Sequence, residues 1–290
     1  MKLTKSYRNF TSYPYIKSSL GELLIKLCAF TCILAVLFIF IYTIQPAINF
    51  PSKLWSSLFQ SQWVPAENLY GLLPLLAGSF LCAFFSFLIS LPLGLFNALF
   101  IHFFSPLFLR KNLLAFFQVL NGIPSVLFGL WGLMAIVPTL AQIQQPGMSL
   151  LASVIILSLM TLPLTTLSFY SYIQSANQHF ITAKSLALSK ETYILKVLFP
   201  LIRKNLRSIS SLQIGRALGE TMAVLMVSGN IAQVPSSLFQ PIRSITSNIA
   251  LEMGFATDSH RAALYLSSLV LMGLILCLFF LLEPRKDSAL

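Results

Sequence analysis

Two opposite charges, Arg216 and Glu220, stand near the middle of an apolar stretch that is long enough to cross a bilayer. One Arg, Lys or Asp at the centre of a membrane helix costs roughly 2.5 to 3.5 kcal/mol on insertion scales, so two such charges need water, a partner or both. Their four-residue spacing puts them on one face of a helix, where they can neutralise each other. We therefore expect this face to line a polar path. A purely structural ion pair is the alternative.

Composition identifies the elements that must position these charges as membrane helices. The chain has 290 residues, 57% of them hydrophobic and 9% charged, whereas soluble domains average about 25% charged residues. A membrane helix needs about 20 apolar residues. Six stretches qualify, namely 23–44, 73–100, 113–138, 148–170, 209–231 and 263–282.

The basic residues flank these stretches unevenly, and the net charge is +11. Lys and Arg near helix ends are retained on the cytoplasmic side, so most of them mark one face of the membrane. The predicted cytoplasmic set is Lys2, Lys5, Arg8, Lys17, Arg110, Lys111, Lys184, Lys190, Lys196, Arg203, Lys204, Arg207, Arg285 and Lys286, against Lys53, Arg243 and Arg261 outside. Both termini are predicted to be cytoplasmic. Because no soluble domain presents the charge, we favour topology signals near anionic lipid over nucleic-acid binding.

The third stretch contains a strong helix breaker near its middle, the run Asn121, Gly122, Ile123, Pro124 and Ser125. Proline removes a backbone donor and crowds the preceding turn, so this helix should kink or break. Irregular backbone survives at membrane depth only when it is buried in protein or faces a water-filled cavity. The pattern predicts a break that either bends during function or is static.

Sequence patterns for catalysis and metal binding are missing. No Gly-x-x-x-x-Gly-Lys-Ser/Thr loop is present to cradle ATP phosphates, so energy for any active transport must come from another subunit. His102, His179 and His260 lack metal or nucleophile spacing. The four cysteines fall within predicted spans, without a partner set for zinc. We predict no catalytic residue, no cofactor and no metal site.

Four segments carry a resemblance to a known family: 62–78, 121–130, 215–230 and 248–264. In this order they resemble the membrane permease subunits of bacterial phosphate-specific ABC importers, and Met222-Ala223-Val224 favours the PstC type over its sister permease. The resemblance covers the chain from about Trp63 to Leu282. It implies an all-α, polytopic membrane protein with six transmembrane helices, a type I ABC importer (MetI-like) permease fold, in the bacterial inner membrane.

The family docks its ATPase through a cytoplasmic Glu-Ala-Ala loop followed by a glycine and a proline at fixed distances. Here the matching positions read Ile181-Thr182-Ala183, then Ala187, then Pro200, so the spacing is kept while the glutamate and the glycine are absent. The resemblance implies a coupling loop at about 175–207, with its docking geometry open to question. The implied loop residues are Thr182, Ala183, Leu186, Ala187, Ser189, Lys190 and Pro200.

The resemblance also implies domains, partners and roles. Residues 1–71 would hold the N-terminal tail, first helix and outer interfacial loop, 72–283 the permease core, and 284–290 a cytoplasmic tail. Partners would be a PstA-like second permease, two copies of a PstB-like ATPase and a PstS-like extracytoplasmic phosphate-binding protein. Arg216, Glu220 and Thr221 would line the phosphate path, and Asn121, Gly122, Pro124 and Ser125 would form its gate.

Two other functions fit part of the pattern. A permease for another oxyanion, such as sulfate or molybdate, would share the motifs of an ABC importer. A secondary transporter or channel would also bury an Arg and Glu pair, but it would not need the spaced loop from Ile181 to Pro200.

Overall fold

The computed structural model describes residues 19–282, except for the side chains of residues 19, 20, 177–179 and 204. The predicted cytoplasmic tail 284–290, most of the N-terminal tail and the basic residues Lys2, Lys5, Arg8, Lys17, Arg285 and Lys286 therefore lie outside the described residues.

The described chain is almost entirely helical. The α-helices are α1 Ser19–Ile48, α2 Leu73–Leu99, α3 Leu107–Gly122, α4 Ser125–Trp131, α5 Val137–Ala141, α6 Leu150–Ser175, α7 Asn177–Ser185, α8 Lys190–Tyr193, α9 Phe199–Gly219, α10 Met222–Val227, α11 Ile245–Glu252 and α12 Asp258–Leu282. Wider π-helical turns occupy Phe100–Phe104, Gly132–Ile136 and Ile194–Leu198, and 3₁₀ turns occupy Ser52–Phe59 and Pro65–Glu67. Two short strands, β1 Trp63–Val64 and β2 Leu69–Tyr70, pair antiparallel with Trp63 opposite Tyr70.

Four of the described helices, α1, α2, α6 and α12, are long and apolar enough to cross a membrane. The predicted third span is a bent pair instead, since α3 and the segment from α4 to α5 meet at 92°. The predicted fifth span, 209–231, is interrupted between α9 and α10. Helix length and composition thus give four spans, or five when the bent pair counts as one, and the sixth span stays a prediction.

The packing of α2 against α6 forms the centre of the molecule, and α9 packs against both. Gly94 permits the close approach, because a Cβ there would lie 2.8 Å from the Cβ of Thr165. Buried side chains add hydrogen bonds between the helices: Thr161 donates to the Oγ of Ser90 at 3.1 Å, and the Gln213 amide of α9 donates to the same oxygen. Buried polar contacts of this kind tie membrane helices together where the hydrophobic effect cannot.

The end of the bundle that carries α7 and α8 has its own buried cluster. Aromatic rings from three elements meet there, with centroids 5.3 Å apart for Phe103 and Phe180 and 5.0 Å apart for Phe180 and Tyr193. The Tyr172 hydroxyl of α6 donates to the carbonyl of Leu201 in α9 at 2.9 Å. The loop helices α7 and α8 are therefore packed onto the ends of α2 and α6.

Substituting Gly94 tests the α2 and α6 contact. In Gly94→Leu the new side chain would clash with Thr165. Overpacking of a tight core lowers the free energy of unfolding by about 1 to 3 kcal/mol. Gly273→Leu is the matched control in α12, because a Cβ there meets no atom within 4 Å. We expect the midpoint of thermal unfolding of the purified protein to fall for Gly94→Leu and to change little for Gly273→Leu. Equal unfolding midpoints for the two variants would contradict a tight contact at Gly94.

Candidate functional site

The apolar stretch that holds Arg216 and Glu220 is two helices, not one. Helix α9 ends at Gly219, Glu220 is extended with φ −71° and ψ 127°, and α10 begins at Met222. The two charges therefore do not share a helical face, and they form no ion pair within residues 19–282. The helical pairing that the four-residue spacing predicts is wrong in this structure, because the helix ends before it reaches Glu220.

Glu220 stabilises the break itself. Its carboxylate accepts a hydrogen bond from the backbone N–H of Ala223 at 3.2 Å, in the first turn of α10. Negative charge is favoured at that end of a helix, where backbone N–H groups lack partners. The backbone carbonyl of Glu220 accepts from the Thr246 hydroxyl of α11 at 2.9 Å. Thr221 lies within the break, and its carbonyl accepts from the N–H of Leu225 at 2.9 Å.

Arg216 stands in the last turn of α9 and is partly buried. It makes no hydrogen bond or ion pair to any residue in the described part of the chain. A guanidinium remains charged at any physiological pH and presents five N–H donors in a planar fork that matches carboxylate and phosphate oxygens. The structure thus holds an unpaired fork of donors beside a helix break, which suits a passing oxyanion.

The predicted break at 121–125 is present and sharp. Helix α3 ends at Gly122, Ile123 and Pro124 are extended, and α4 begins at Ser125. The Oδ1 atom of Asn121 is buried without a hydrogen-bond partner among the described residues, and a Cβ on Gly122 would meet nothing within 4 Å. The sequence therefore identified the position of this break correctly, and the space beside Gly122 is open.

The helices that follow the two breaks pack against each other. Helix α4 contacts α10, and a Cβ on Gly129 would lie 3.0 Å from the Cα of Ala223 and 2.8 Å from the sulfur of Met226. Such close approach is typical of small residues at membrane-helix contacts. The structure thus connects the helix after Pro124 to the helix after Thr221, two segments almost one hundred residues apart in sequence.

A buried ionic network, not predicted from the sequence, lies at the end of the molecule that holds the β-hairpin. The Glu252 carboxylate of α11 accepts from the Arg243 guanidinium at 2.7 Å, from the Trp63 indole N–H at 2.8 Å and from Nε2 of His260 at 2.8 Å. Arg243 also donates to the side chain of Asn248 at 3.0 Å. One carboxylate therefore joins β1, the segment before α11, and α12.

No sequence pattern could have found the whole network, because Trp63 and Glu252 are 189 residues apart. His260 has no metal or nucleophile spacing in the sequence, but it stacks on Tyr70 with ring centroids 6.2 Å apart and bonds to Glu252. The one available signal was an acidic residue in an apolar segment, eight positions before a histidine.

The predicted coupling loop has the backbone that a glycine would favour, although alanine occupies the position. Ala187 follows α7 with φ +55°, in the left-handed region. Its N–H donates to the carbonyl of Lys184 at 3.0 Å, and the N–H of Leu188 donates to that of Ala183 at 3.1 Å. These two bonds are the Schellman arrangement that ends many helices, usually with glycine. The turn geometry thus survives the loss of the glycine.

Further residues of this loop start the next helix. Ser189 accepts from the N–H of Thr192 at 3.2 Å as the cap of α8. The pKa of the exposed Glu191 carboxyl is lowered by a hydrogen bond to its own backbone and one to Ser189, and burial raises the pKa of the Tyr193 hydroxyl. Apolar side chains of the loop remain exposed, 62% for Ile181 and 69% for Leu186. Exposed apolar surface on such a helix is what a protein partner would cover.

The loop continues directly into the site. Helix α8, the π-helical turn Ile194–Leu198 and α9 follow one another without a break in helical backbone, with Pro200 in the first turn of α9. At 1.5 Å per residue this continuous helix is about 45 Å long. One of its ends lies in the predicted coupling loop, and the other is the turn that holds Arg216.

The described chain combines several apolar helices, two helix breaks whose following helices α4 and α10 pack together, and a loop joined to one break by a continuous helix. These are the features of a membrane-transport permease. Residues 90–285 match the family described as the binding-protein-dependent transport system inner membrane component, and the chain belongs to this family. It is therefore an ABC importer permease with a MetI-like, type I fold, as the sequence predicted. The six-span count and the position of the termini stay predictions.

The chain is similar to several proteins that are named as permeases. It is 35% identical over 232 residues to a probable ABC transporter permease protein, YqgH, from Bacillus subtilis, covering 78% of this chain and 75% of that one. It is 32% identical over 245 residues to the phosphate transport system permease protein PstC of Mesorhizobium japonicum, covering 77% and 73%. The predicted resemblance to PstC-type permeases is thereby confirmed.

A solved structure supports the fold alone. The crystal structure of a bacterial ABC transporter involved in the import of the acidic polysaccharide alginate matches with a TM-score of 0.61 at 14% identity, and it covers 93% of this chain and 98% of that one.

Replacing Glu252 tests the ionic network. Glu252→Gln keeps one acceptor oxygen but leaves the Arg243 cation without its counter-charge. Removing one partner of a fully buried pair costs about 3 to 5 kcal/mol, and we expect about 2 to 3 kcal/mol here because both side chains keep some exposure, 20% for Arg243 and 11% for Glu252. Thermal unfolding should detect the loss. The exposed Glu67→Gln is the control at the hairpin, and equal effects of the two variants would contradict a special role for Glu252.

Restoring a glycine tests the loop. Alanine in the left-handed region costs roughly 1 to 2 kcal/mol. Glycine avoids this strain but loses more backbone entropy on folding, which costs about 0.5 to 1 kcal/mol. Ala187→Gly should therefore slow hydrogen exchange of the Leu188 N–H about two- to fivefold. Ser185→Gly, inside α7, should accelerate the same exchange. No slowing in Ala187→Gly would mean that the positive φ carries no cost.

Proposed function

We propose that this permease forms half of a transmembrane pathway for inorganic phosphate in an ATP-driven importer of the bacterial inner membrane. The observation that carries the proposal is Arg216, a partly buried cation without a described partner at the end of α9. The named phosphate permeases among its relatives support phosphate as the substrate.

In this proposal Arg216 binds phosphate directly. Its fork can contact two oxygens of one phosphate, and hydrogen bonds between such charged groups are about twice as strong as neutral ones. Transport also needs sites from which the ion can leave. Arg216 is the basic residue in the last turn of α9, and Glu220 follows it four residues later with Thr221 next to it. A negative charge close in sequence therefore opposes retention of the anion.

The break at 121–125 is the proposed gate. Asn121, Gly122, Pro124 and Ser125 connect α3 to α4, and α4 packs on α10 immediately beyond Thr221. A change of the bend between α3 and α4 would therefore displace the start of α10. Open space around Gly122 supports a moving hinge, because hinge residues must absorb changes in backbone angles.

The segment formed by α7 and α8 is the proposed docking site for a separate ATPase. It comprises Thr182, Ala183, Leu186, Ala187, Ser189 and Lys190, with Pro200 where α9 begins. The Schellman turn at Ala187 keeps the loop geometry, and the exposed Ile181 and Leu186 offer apolar surface. Closure of two ATPase subunits would move α8, and the continuous helix would carry that motion as a rigid body to Arg216.

The assembly that follows contains a homologous PstA-like permease as the other half of the pathway, two PstB-like ATPase copies and a PstS-like phosphate-binding protein. This chain contributes no catalytic residue in the proposal, since ATP hydrolysis belongs to the ATPase partners. Co-purification of an ATPase with this permease tests the assembly, and a permease that transports without one would instead be a channel or secondary transporter.

Arg216 variants test the pathway. In vesicles that hold the assembled transporter, Arg216→Gln should lower the rate of phosphate uptake roughly tenfold to hundredfold, the loss expected for one charge-assisted contact. Arg216→Lys keeps the charge without the planar fork of donors, so its uptake rate should lie between those of the wild type and Arg216→Gln. Arg207→Gln, an exposed arginine on the same helix, is the control and should transport normally.

Three results would contradict this proposal. Wild-type uptake by an assembled Arg216→Gln transporter would exclude a pathway role, and failure of that variant to assemble would favour a structural role for the arginine. Competition of phosphate uptake by sulfate or molybdate would reassign the substrate to another oxyanion.

A further inference from the structure

A second cationic site lies away from the pathway, beneath the coupling loop. A cavity of about 260 Å³ opens there between the ends of α2 and α6, the start of α3, and the loop helices α7 and α8. Five of its seven lining residues are polar, namely His102, Arg110, Tyr170, Gln174 and Lys190, and Phe103 and Phe180 complete the wall. The lining side chains come from the turn after α2 and from α3, α6, α7 and α8.

The lining is rich in hydrogen-bond donors that have no described partner. Arg110 donates from Nε to the carbonyl of Ile101 at 3.1 Å and from Nη2 to that of His102, which leaves three of its five N–H groups unused. The side chains of Tyr170, Gln174 and Lys190 make no hydrogen bond within the described chain. Nδ1 of His102 is buried and also lacks a partner there.

No carboxylate lines the cavity among the described residues, although Arg110 and Lys190 bring two positive charges to it. Glu191 follows Lys190, but it is fully exposed and its carboxylate bonds to its own backbone and to Ser189. Arg110 is half-buried, and a cation in that position normally has an anionic partner because desolvation without one is costly. Lys190 is exposed and adds a second positive charge to the same wall. An anion that presents several acceptor oxygens would satisfy the donors and the charge together.

We propose that this cavity binds a phosphate group, either the headgroup of an anionic phospholipid or a free phosphate ion from the cytoplasm. Both sources present the same tetrahedral oxygens to Arg110 and Lys190. The bound group bridges α3 and the end of α6 to α8, so its occupancy steadies the coupling loop against the membrane helices. The loop is thereby sensitive either to lipid composition or to the phosphate level on its own side of the membrane.

The test measures hydrogen exchange in residues 180–193 of the assembled transporter, held in nanodiscs of neutral phosphatidylcholine. One arm adds phosphatidylglycerol, and the other adds inorganic phosphate. The phosphate arm is run in wild-type and Arg216→Gln backgrounds, so that binding in the proposed pathway is kept apart from binding in the cavity. We expect one of the two additions to slow exchange in this segment, in both backgrounds.

Matched variants assign the effect to the cavity. Arg110→Gln combined with Lys190→Gln should raise the half-saturating amount of the effective addition at least tenfold, because the charge-assisted contact of the half-buried Arg110 is lost together with the exposed Lys190 charge. Lys111→Gln combined with Lys196→Gln removes the same charge from exposed neighbours and should change nothing. Lys190→Gln alone and Tyr170→Phe leave the backbone contacts of Arg110 intact, so they report binding even where the double variant folds poorly.

Protection by phosphatidylglycerol alone identifies a lipid headgroup, and protection by phosphate alone identifies the free ion. The proposal is overturned where neither addition slows exchange. It is also overturned where the exposed control pair weakens the effect as much as the cavity pair does.

Discussion

The backbone groups freed by a helix break must find partners inside this protein, because the hydrocarbon around it offers none. The break between α9 and α10 meets this constraint through Glu220, whose carboxylate accepts from Ala223 and whose carbonyl accepts from Thr246. Using the glutamate in this way leaves Arg216 without a described counter-charge. The same requirement that makes the break possible therefore creates the free cation at the candidate site.

Helix α11 extends that constraint to the hairpin end of the molecule. It begins beside Thr246, which bonds to the break, and it ends at Glu252, which binds Arg243, Trp63 and His260. Its first N–H, on Ile245, donates to the Ser79 hydroxyl of α2 at 2.9 Å. Through these contacts α11 connects the ionic network to the break. The α10 side of the break is consequently fixed to the hairpin end of the structure.

The parts of this arrangement that depend on local pattern could be predicted from the sequence. Apolar length located α1, α2, α6 and α12, and the Pro124 signal located the bend between α3 and α4. The end of α9 could not be located, because Gly219 and Glu220 sit in an apolar run without a proline and the competing partner, Thr246, is 26 residues away. The left-handed backbone of Ala187 could not be predicted either, because alanine is a strong helix former and its conformation here is imposed by the loop.

The two sides of the break at Glu220 are held by different ends of the molecule. Arg216 lies in the last turn of a continuous helix that begins at Lys190 in the proposed coupling loop, whereas Glu220 is tied to α11 and through it to the network around Glu252. A displacement of the loop end relative to the hairpin end must therefore be absorbed between these two anchors, where Gly219 and the extended Glu220 interrupt the helix. Relative motion of this kind would be concentrated beside Arg216, which is where the proposed pathway needs it.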